Sequence, residues 1–477
     1  MHLIPDTWSH LHMLISVFPF VGLIFVLGFY ITAIMTNNEV AKRACLVLLG
    51  LLGILAIPVY FSGDGSMAML TGKPGISVDR MNAHYGWSWA ALILLGLMGI
   101  AAWLELWRYR RVGSLSNNAV HLVLGLGLLT LAFMIYVGEL GWEIGHHELQ
   151  TATTVAASQP SGSDIAEGQS TPQAWSHVHI ILNHFPTVGF VLTLAYFLAA
   201  FVMNNDVMKR TSLVGFTICG ILGAPTYVTG AAAMWALTQP PMAGISHAVI
   251  DAHRDMALLT LFGLAFTGAT AYFELWRYRY VGRFSDRTLY ILLAFAIVTL
   301  GIMAETGHRG GLINHPEIRT EVMPTDSSVF WSPNIELLIN NVIWFVPWQT
   351  VHFFGYSLVF ATVLAVTLRV LGFWKSVPFS AVHRLLPIGV FGVLMNVFTG
   401  MLMLMADTYR YVNEATFTPK MMFLPIGAIA VLYFSLSDDL WNTKAGEDAP
   451  MAAKWVAVLV LLSWTTVIMG GRLLPYI

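Results

Sequence analysis

The sequence predicts an all-α polytopic membrane protein of about twelve transmembrane helices, arranged as three four-helix bundles. The first observation is composition: 57% of the residues are hydrophobic and only 10% are charged, against about 25% charged residues in a typical soluble domain. The second is a series of apolar runs of about 20 residues, the length that crosses a bilayer. The third is an internal repeat, which makes the first two bundles a tandem duplication.

The apolar runs occur along the whole chain. They begin near Met13, Ala44, Gly86, Ala119, Ile180, Thr211, Met256, Thr288, Trp348, Val382, Met421 and Ala452. Basic residues cluster on alternate connections, at Lys42 and Arg43, 108–111, Lys209 and Arg210, 277–287 and 369–384. The positive-inside rule assigns these connections to the cytoplasm. We therefore expect a multi-pass protein of the bacterial inner (cytoplasmic) membrane with both termini periplasmic.

The duplication is visible in matching phrases. The segment Trp8–Gly22 reads WSHLHMLISVFPFVG, and Trp175–Gly189 reads WSHVHIILNHFPTVG. The phrase ELWRYR follows in both repeats, beginning at Glu105 and at Glu274. The offset is about 167 residues and then about 169, which indicates a duplication rather than coincidence.

Five segments follow from these patterns. Residues 1–150 form the first four-helix repeat, and residues 174–316 form the second. A stretch rich in Ser, Thr, Ala, Gln and Gly at residues 151–173 predicts a flexible periplasmic linker. Residues 317–347 are a periplasmic segment with a surface helix, because Ile335, Leu338, Ile339 and Val342 have helical spacing. Residues 348–477 form a C-terminal four-helix unit without a convincing repeat relation to the others.

Two motif sets resemble known families. The second repeat resembles an uncharacterised bacterial membrane family with an H-F-P first helix. The motifs that carry this resemblance are His184-Phe185-Pro186 and the run 306–312 (TGHRGGL), which His315 follows. The first repeat resembles the same family more weakly. The last third is similar to a second uncharacterised bacterial membrane family, which is identified by an L-R-L-L-G motif and a terminal G-R motif. This chain departs from the L-R-L-L-G motif at Val370. Neither resemblance implies an established activity. In design the chain resembles b-type membrane cytochromes.

Histidines supply the main functional signal, because a polar residue within a membrane span is costly. Most of them fall towards the predicted outer side of the membrane. The candidate cofactor-binding residues are His10, His12, His84, His146, His177, His179, His184, His253, His308, His315 and His352. For His2, His121, His147, His247 and His383 a structural role is the preferred interpretation.

The deeper histidines predict a haem site. At a rise of about 1.5 Å per residue, His308 lies about 10 Å below His315 if the helix continues through Gly310 and Gly311. His184 likewise lies about 10 Å below His177 on the same helix face. Its predicted partner is His308, and the first repeat has lost both residues, to Val17 and Glu139. Joint loss is expected of two residues that serve one ligand. We predict that His184, His308 and His253 ligate haem iron, with another metal or plain hydrogen bonding as alternatives.

These features predict a b-type cytochrome subunit that carries electrons between the quinone pool and a periplasmic redox partner, with one to three haem b groups and a quinone as cofactors. Haem b is expected because Cys45 and Cys219 cannot form a covalent C-x-x-C-H site. The expected partners are the lipid bilayer, quinone and a periplasmic cytochrome c or dehydrogenase subunit, without nucleic acid. The sequence leaves open whether the chain is the quinone-reactive subunit of an oxidoreductase complex. The alternatives are a metal (copper) handling or transport protein and a non-catalytic membrane scaffold of a respiratory complex.

Overall fold

Long α-helices account for nearly all of the described structure. The computed structural model describes residues 7–71, 77–145, 178–238, 246–314, 339 and 341–473. Twelve helices in these ranges are long and apolar enough to cross a membrane, and no strand occurs in them. The predicted all-α polytopic fold with twelve spans is therefore confirmed.

The long helices are numbered here in chain order. Their bounds are α1 Trp8–Met35, α2 Glu39–Leu70, α3 Val78–Val112, α4 Asn117–Gly145, α5 His184–Val202, α6 Asp206–Thr238, α7 His247–Val281, α8 Asp286–Asn314, α9 Val342–Leu371, α10 Leu386–Ala406, α11 Phe417–Leu436 and α12 Met451–Leu473. Three short helices, Phe379–His383, Thr408–Asn413 and Asp438–Trp441, lie in the last third.

The turns between helices follow from local residue chemistry. Asn38 caps α2 by accepting a hydrogen bond from the Ala41 amide at 2.8 Å, and Asn37 takes the left-handed conformation that asparagine tolerates. Asn204 has the same conformation before α6. Gly113 and Gly282 end α3 and α7 with positive φ, which glycine adopts without steric cost.

The Glu of each ELWRYR phrase joins one of these turns to its helix. The Glu105 carboxylate accepts two hydrogen bonds from Arg108, both at 2.7 Å, and a third from the Ser116 amide at 2.6 Å. Glu274 repeats this arrangement with Arg277 and the Ser285 amide. Both carboxylates are buried, with 2% and 0% of their side-chain surface exposed. The two carboxylates therefore fix the turn that follows each helix.

The chain divides into two compact units that do not coincide with the predicted segments. The first comprises Met1–Gly168, His184–Gly215 and Gly310–Met323; the second comprises Gln169–Asn183, Phe216–Arg309 and Pro324–Ile477. Helix α5, predicted to open a second bundle, therefore belongs to the first unit. The three-bundle grouping stays a prediction.

In the first unit α5 packs directly on α1. The Phe29 ring stacks on the Tyr196 ring with centroids 4.7 Å apart. A Cβ on Gly22 would lie 3.0 Å from Leu192, so the missing side chain lets the two helices approach closely. Helices α2 and α3 are equally close, since a Cβ on Gly53 would lie 2.9 Å from the Leu95 carbonyl oxygen.

The second unit repeats the close contact of α2 and α3 between α6 and α7. A Cβ on Gly220 would lie 2.8 Å from the Leu264 carbonyl oxygen and 2.9 Å from the Gly268 Cα. Its apolar core joins α6 and α7 to α10 and α11, through residues such as Val228, Leu261 and Leu404. Small residues thus allow the backbone contact on which membrane helix pairs depend.

One local prediction needs correction. Helix α9, which contains the span Phe345–Leu371, begins at Val342, so this residue belongs to the spanning helix instead of a surface helix. Except for Ile339, the rest of the predicted surface helix lies outside the described residues. The depth of His184 below His177 stays a prediction, because His177 also lies outside the described residues.

Candidate functional site: histidines anchored through Nδ1

Four histidines of the two repeats are anchored to a neighbouring helix in the same way. In the first unit His12 Nδ1 lies 3.0 Å from the Val59 carbonyl oxygen, and His84 Nδ1 lies 3.1 Å from the Val137 carbonyl oxygen. In the second unit His179 Nδ1 lies 3.0 Å from the Thr226 carbonyl oxygen, and His253 Nδ1 lies 2.9 Å from that of Thr306.

These contacts decide the tautomer of each ring. A carbonyl oxygen only accepts hydrogen bonds, so Nδ1 must carry the proton and donate it. In a neutral imidazole the lone pair then belongs to Nε2, the nitrogen that can bind a metal. No described residue makes a hydrogen bond to Nε2 of His12, His84 or His253. An Nδ1–H donated to a carbonyl is the usual outer contact of a metal-binding histidine, because it fixes the ring and raises its basicity.

Glycines beneath the rings hold this geometry. A Cβ on Gly63 would lie 3.0 Å from His12 Cε1, one on Gly141 would lie 2.9 Å from His84 Cε1, and one on Gly230 would lie 2.8 Å from His179 Cε1. Each glycine lies four residues after the carbonyl that its histidine binds. The Cε1 edge of the ring therefore lies against one turn of the neighbouring helix, where a side chain would push it away.

His12 and His84 form a pair in the first unit. They lie on α1 and α3 and are close enough for an electrostatic interaction between the two rings. Ser62 adds a contact of 3.1 Å between its hydroxyl oxygen and His12 Nδ1, and Thr229 makes the corresponding contact with His179 at 3.3 Å. Two neutral imidazoles from two helices of one bundle are the ligand set that a six-coordinate haem requires.

His383 shows what a purely structural histidine looks like in the same protein. Its Nδ1 lies 3.0 Å from the Tyr280 hydroxyl and its Nε2 lies 3.0 Å from the Ser435 hydroxyl. The residue is fully buried. Both ring nitrogens are occupied, so no lone pair remains for a metal. His121 is exposed and bonds the Asn117 carbonyl of its own helix. Both residues are placed as their preferred structural interpretation requires.

The inner site predicted from the sequence is only partly described. His184 begins α5 in the first unit, whereas His253 and His308 belong to α7 and α8 of the second unit. Helix α8 continues through Gly310 and Gly311, as the prediction for His308 assumed. Ligation of one haem by His184 and His308 or His253 stays a prediction. Of the other candidates, His146, His177 and His315 lie outside the described residues, as does the side chain of His10.

Sequence reasoning found the histidines but missed what holds them. Gly63 and Gly230, and Ser62 and Thr229, occupy matching positions in the two repeats. An alignment of the repeats would therefore have shown a glycine 51 residues after His12 and after His179. Within the described ranges no group of three or more His, Cys, Asp or Glu side chains lies together.

Comparison of the chain with protein-family models, with curated proteins and with solved structures finds no match.

Proposed function

We propose that this protein is a b-type membrane cytochrome that carries electrons between the quinone pool and a periplasmic redox partner. The observation that carries the proposal is the shared anchoring of His12, His84, His179 and His253 through Nδ1. In His12, His84 and His253 that anchoring orients a neutral ring whose lone pair belongs to Nε2, the ligating atom. When bound, haem supplies one-electron redox chemistry, and the protein supplies the ligands and a dry bundle.

The donor set fits haem. His12 and His84 are two imidazoles on the apolar helices α1 and α3, close enough to interact electrostatically. A tetrahedral zinc site or an octahedral site needs more ligands than two. The chain has only two cysteines and no C-x-x-C-H segment, so the group would be held without a covalent bond.

An absorption spectrum tests the proposal directly. Protein purified from haem-replete cells should show b-type bands after reduction, and acidified organic solvent should extract the pigment completely. His84→Ala should remove the component held by the first unit. His121→Ala, which changes an exposed histidine of the same unit, should leave the spectrum unchanged. A colourless wild-type preparation would disprove the proposal.

The placement of the histidines also predicts the side of electron exchange. His12 and His179 lie at the beginnings of α1 and of the span Val178–Val202, which the positive-inside rule assigns to the outer side. In liposomes, a lipid-soluble quinol should therefore reduce an impermeant acceptor faster from the outer side than from the side of Lys42 and Arg43. Equal rates from both sides would contradict this arrangement.

A further inference from the structure

A large cavity lies within the second unit, in the last third of the chain. Its volume is about 470 Å³, within the range of about 300–1,000 Å³ typical of small-molecule sites. Helices α9–α12 provide most of its wall, and that wall is mainly apolar. Four basic residues line it, His352, Arg410, Lys420 and Arg472, whereas none of the lining residues is Asp or Glu. The cavity therefore suits an apolar molecule with an electron-rich polar head.

His352 contacts the next helix at the same place as the earlier histidines, but its ring has the opposite tautomer. The Asn396 amide nitrogen donates to the His352 carbonyl oxygen at 2.7 Å and to Nδ1 at 3.2 Å, and the Thr399 hydroxyl lies 2.9 Å from Nδ1. Nδ1 therefore accepts a hydrogen bond, and the proton of the neutral ring is on Nε2. The ring again packs against a glycine, since a Cβ on Gly400 would lie 3.4 Å from Cε1.

The position of His352 repeats that of the earlier histidines. The residue to which Nδ1 is bonded follows the histidine by 47 positions in all three cases, as Val59 follows His12, Thr226 follows His179 and Thr399 follows His352. No convincing repeat relation of the C-terminal unit was visible in the sequence.

The group that faces the histidine is different. His12 interacts electrostatically with His84 on α3, the third helix of its repeat, whereas His352 interacts with Lys420 on α11, the third long helix of the C-terminal unit. A lysine ammonium has three donors and no lone pair. The pair of groups that could hold a haem iron in the first unit is thus replaced by two hydrogen-bond donors, the Nε2–H group of His352 and the ammonium group of Lys420.

The surroundings of Lys420 leave its ammonium group able to bind a ligand. No described residue makes a hydrogen bond or an ion pair with its ammonium group, whose nitrogen lies 5.8 Å from the centroid of the Phe417 ring. Gly470 and Gly471 make room for the side chain, because a Cβ on Gly471 would lie 3.3 Å from Nζ. An ammonium group in such a place gains most from an oxygen that carries or develops negative charge.

We propose that this cavity is the quinone site of the protein, and that it holds a quinone carbonyl oxygen between His352 Nε2 and Lys420 Nζ. The carbonyl oxygen accepts one hydrogen bond from Nε2–H and one from the ammonium group. The apolar wall accommodates the ring and the start of the tail. The assignment deepens the proposed function, because it names the quinone site that a cytochrome of this kind needs.

Binding of a fluorescent hydroxyquinoline N-oxide, a quinol analogue with an ionisable oxygen, tests this site in the purified full-length protein. Lys420→Met should weaken its binding about 10- to 100-fold, the loss expected for one charge-assisted hydrogen bond. Lys420→Arg keeps the charge and should retain most of the affinity. Lys454→Met, a change at a lysine whose partner is the exposed Asp448, should bind as the wild type does.

Two further measurements separate this proposal from the haem proposal and from lipid binding. The reduced spectrum of Lys420→Met should equal that of the wild type, since the variant changes the quinone site alone. Lysine-dependent binding to a colourless protein would support the quinone site and disprove the haem. Unchanged binding by Lys420→Met and by His352→Phe would overturn the quinone site, whatever the spectrum. Loss of a co-purified phospholipid from Lys420→Met, without loss of probe binding, would also overturn it.

Discussion

Gly141 and Gly138 offer a matched test of the anchored-histidine geometry, because they lie one turn apart on α4. A Cβ on Gly141 would lie 2.9 Å from His84 Cε1 and 3.2 Å from its Nδ1, whereas a Cβ on Gly138 would meet nothing within 4 Å. Carbon atoms pack at about 3.5–4.0 Å. In Gly141→Ala the ring must therefore retreat by at least about 0.6 Å from α4.

The retreat weakens the hydrogen bond that fixes the ring. The Val137 carbonyl oxygen also belongs to α4 and now lies 3.1 Å from His84 Nδ1. A further 0.6 Å or so takes this contact beyond the usual limit of about 3.2 Å for an N–H···O bond. The ring then loses the contact that sets its tautomer and direction. Loss of such an outer contact lowers metal affinity by about 10- to 100-fold.

The two variants also differ in stability, with or without haem. Each gains about 0.5–1 kcal/mol from replacing a glycine within a helix. Gly141→Ala additionally suffers overpacking, which costs about 1–3 kcal/mol. We therefore expect Gly141→Ala to be less stable than Gly138→Ala by about 1–3 kcal/mol.

Denaturant unfolding in detergent and the reduced absorption spectrum measure the two effects. The expected result is a lower unfolding midpoint and a weakened first-unit haem component in Gly141→Ala, with neither change in Gly138→Ala. Equal stability and equal spectra for the two variants would refute the geometry on which the haem site depends.

Three other predictions follow from the sequence and the structure. His184→Ala and His308→Ala should remove the same haem component from the absorption spectrum. If the two variants lose different components, the inference that these histidines serve one haem, drawn from their joint absence in the first repeat, is wrong. Glu274→Ala should lower the free energy of unfolding by about 3 kcal/mol, because it leaves Arg277 and a turn amide without the buried carboxylate that they bind. Lys375→Ala, which removes only an exposed ion pair, should change the same quantity by less than about 1 kcal/mol; a cost equal to that of Glu274→Ala would contradict the burial argument.

The sequence alone was enough to establish the fold class and the number of spans. Membrane helices satisfy their backbone groups internally, so the length of an apolar run already reports a span. The first spans are a good example, since the apolar run near Met13 corresponds to the span Leu14–Met35. Helix ends were less accurate, as at α2, predicted near Ala44 but capped by Asn38. A run of hydrophobic residues marks only the apolar part of a helix. Capping residues and charged residues extend the helix beyond that part.

Only the tertiary structure decided which nitrogen of each histidine is engaged. A sequence places His12 on a helix, but the carbonyl that fixes its ring lies 47 residues away at Val59. His383 is bonded at both ring nitrogens, whereas His352 is bonded at Nδ1 and lies near Lys420. The physical reason is that the tautomer depends on the partner across a helix pair, and helix pairing depends on where small residues let backbones approach.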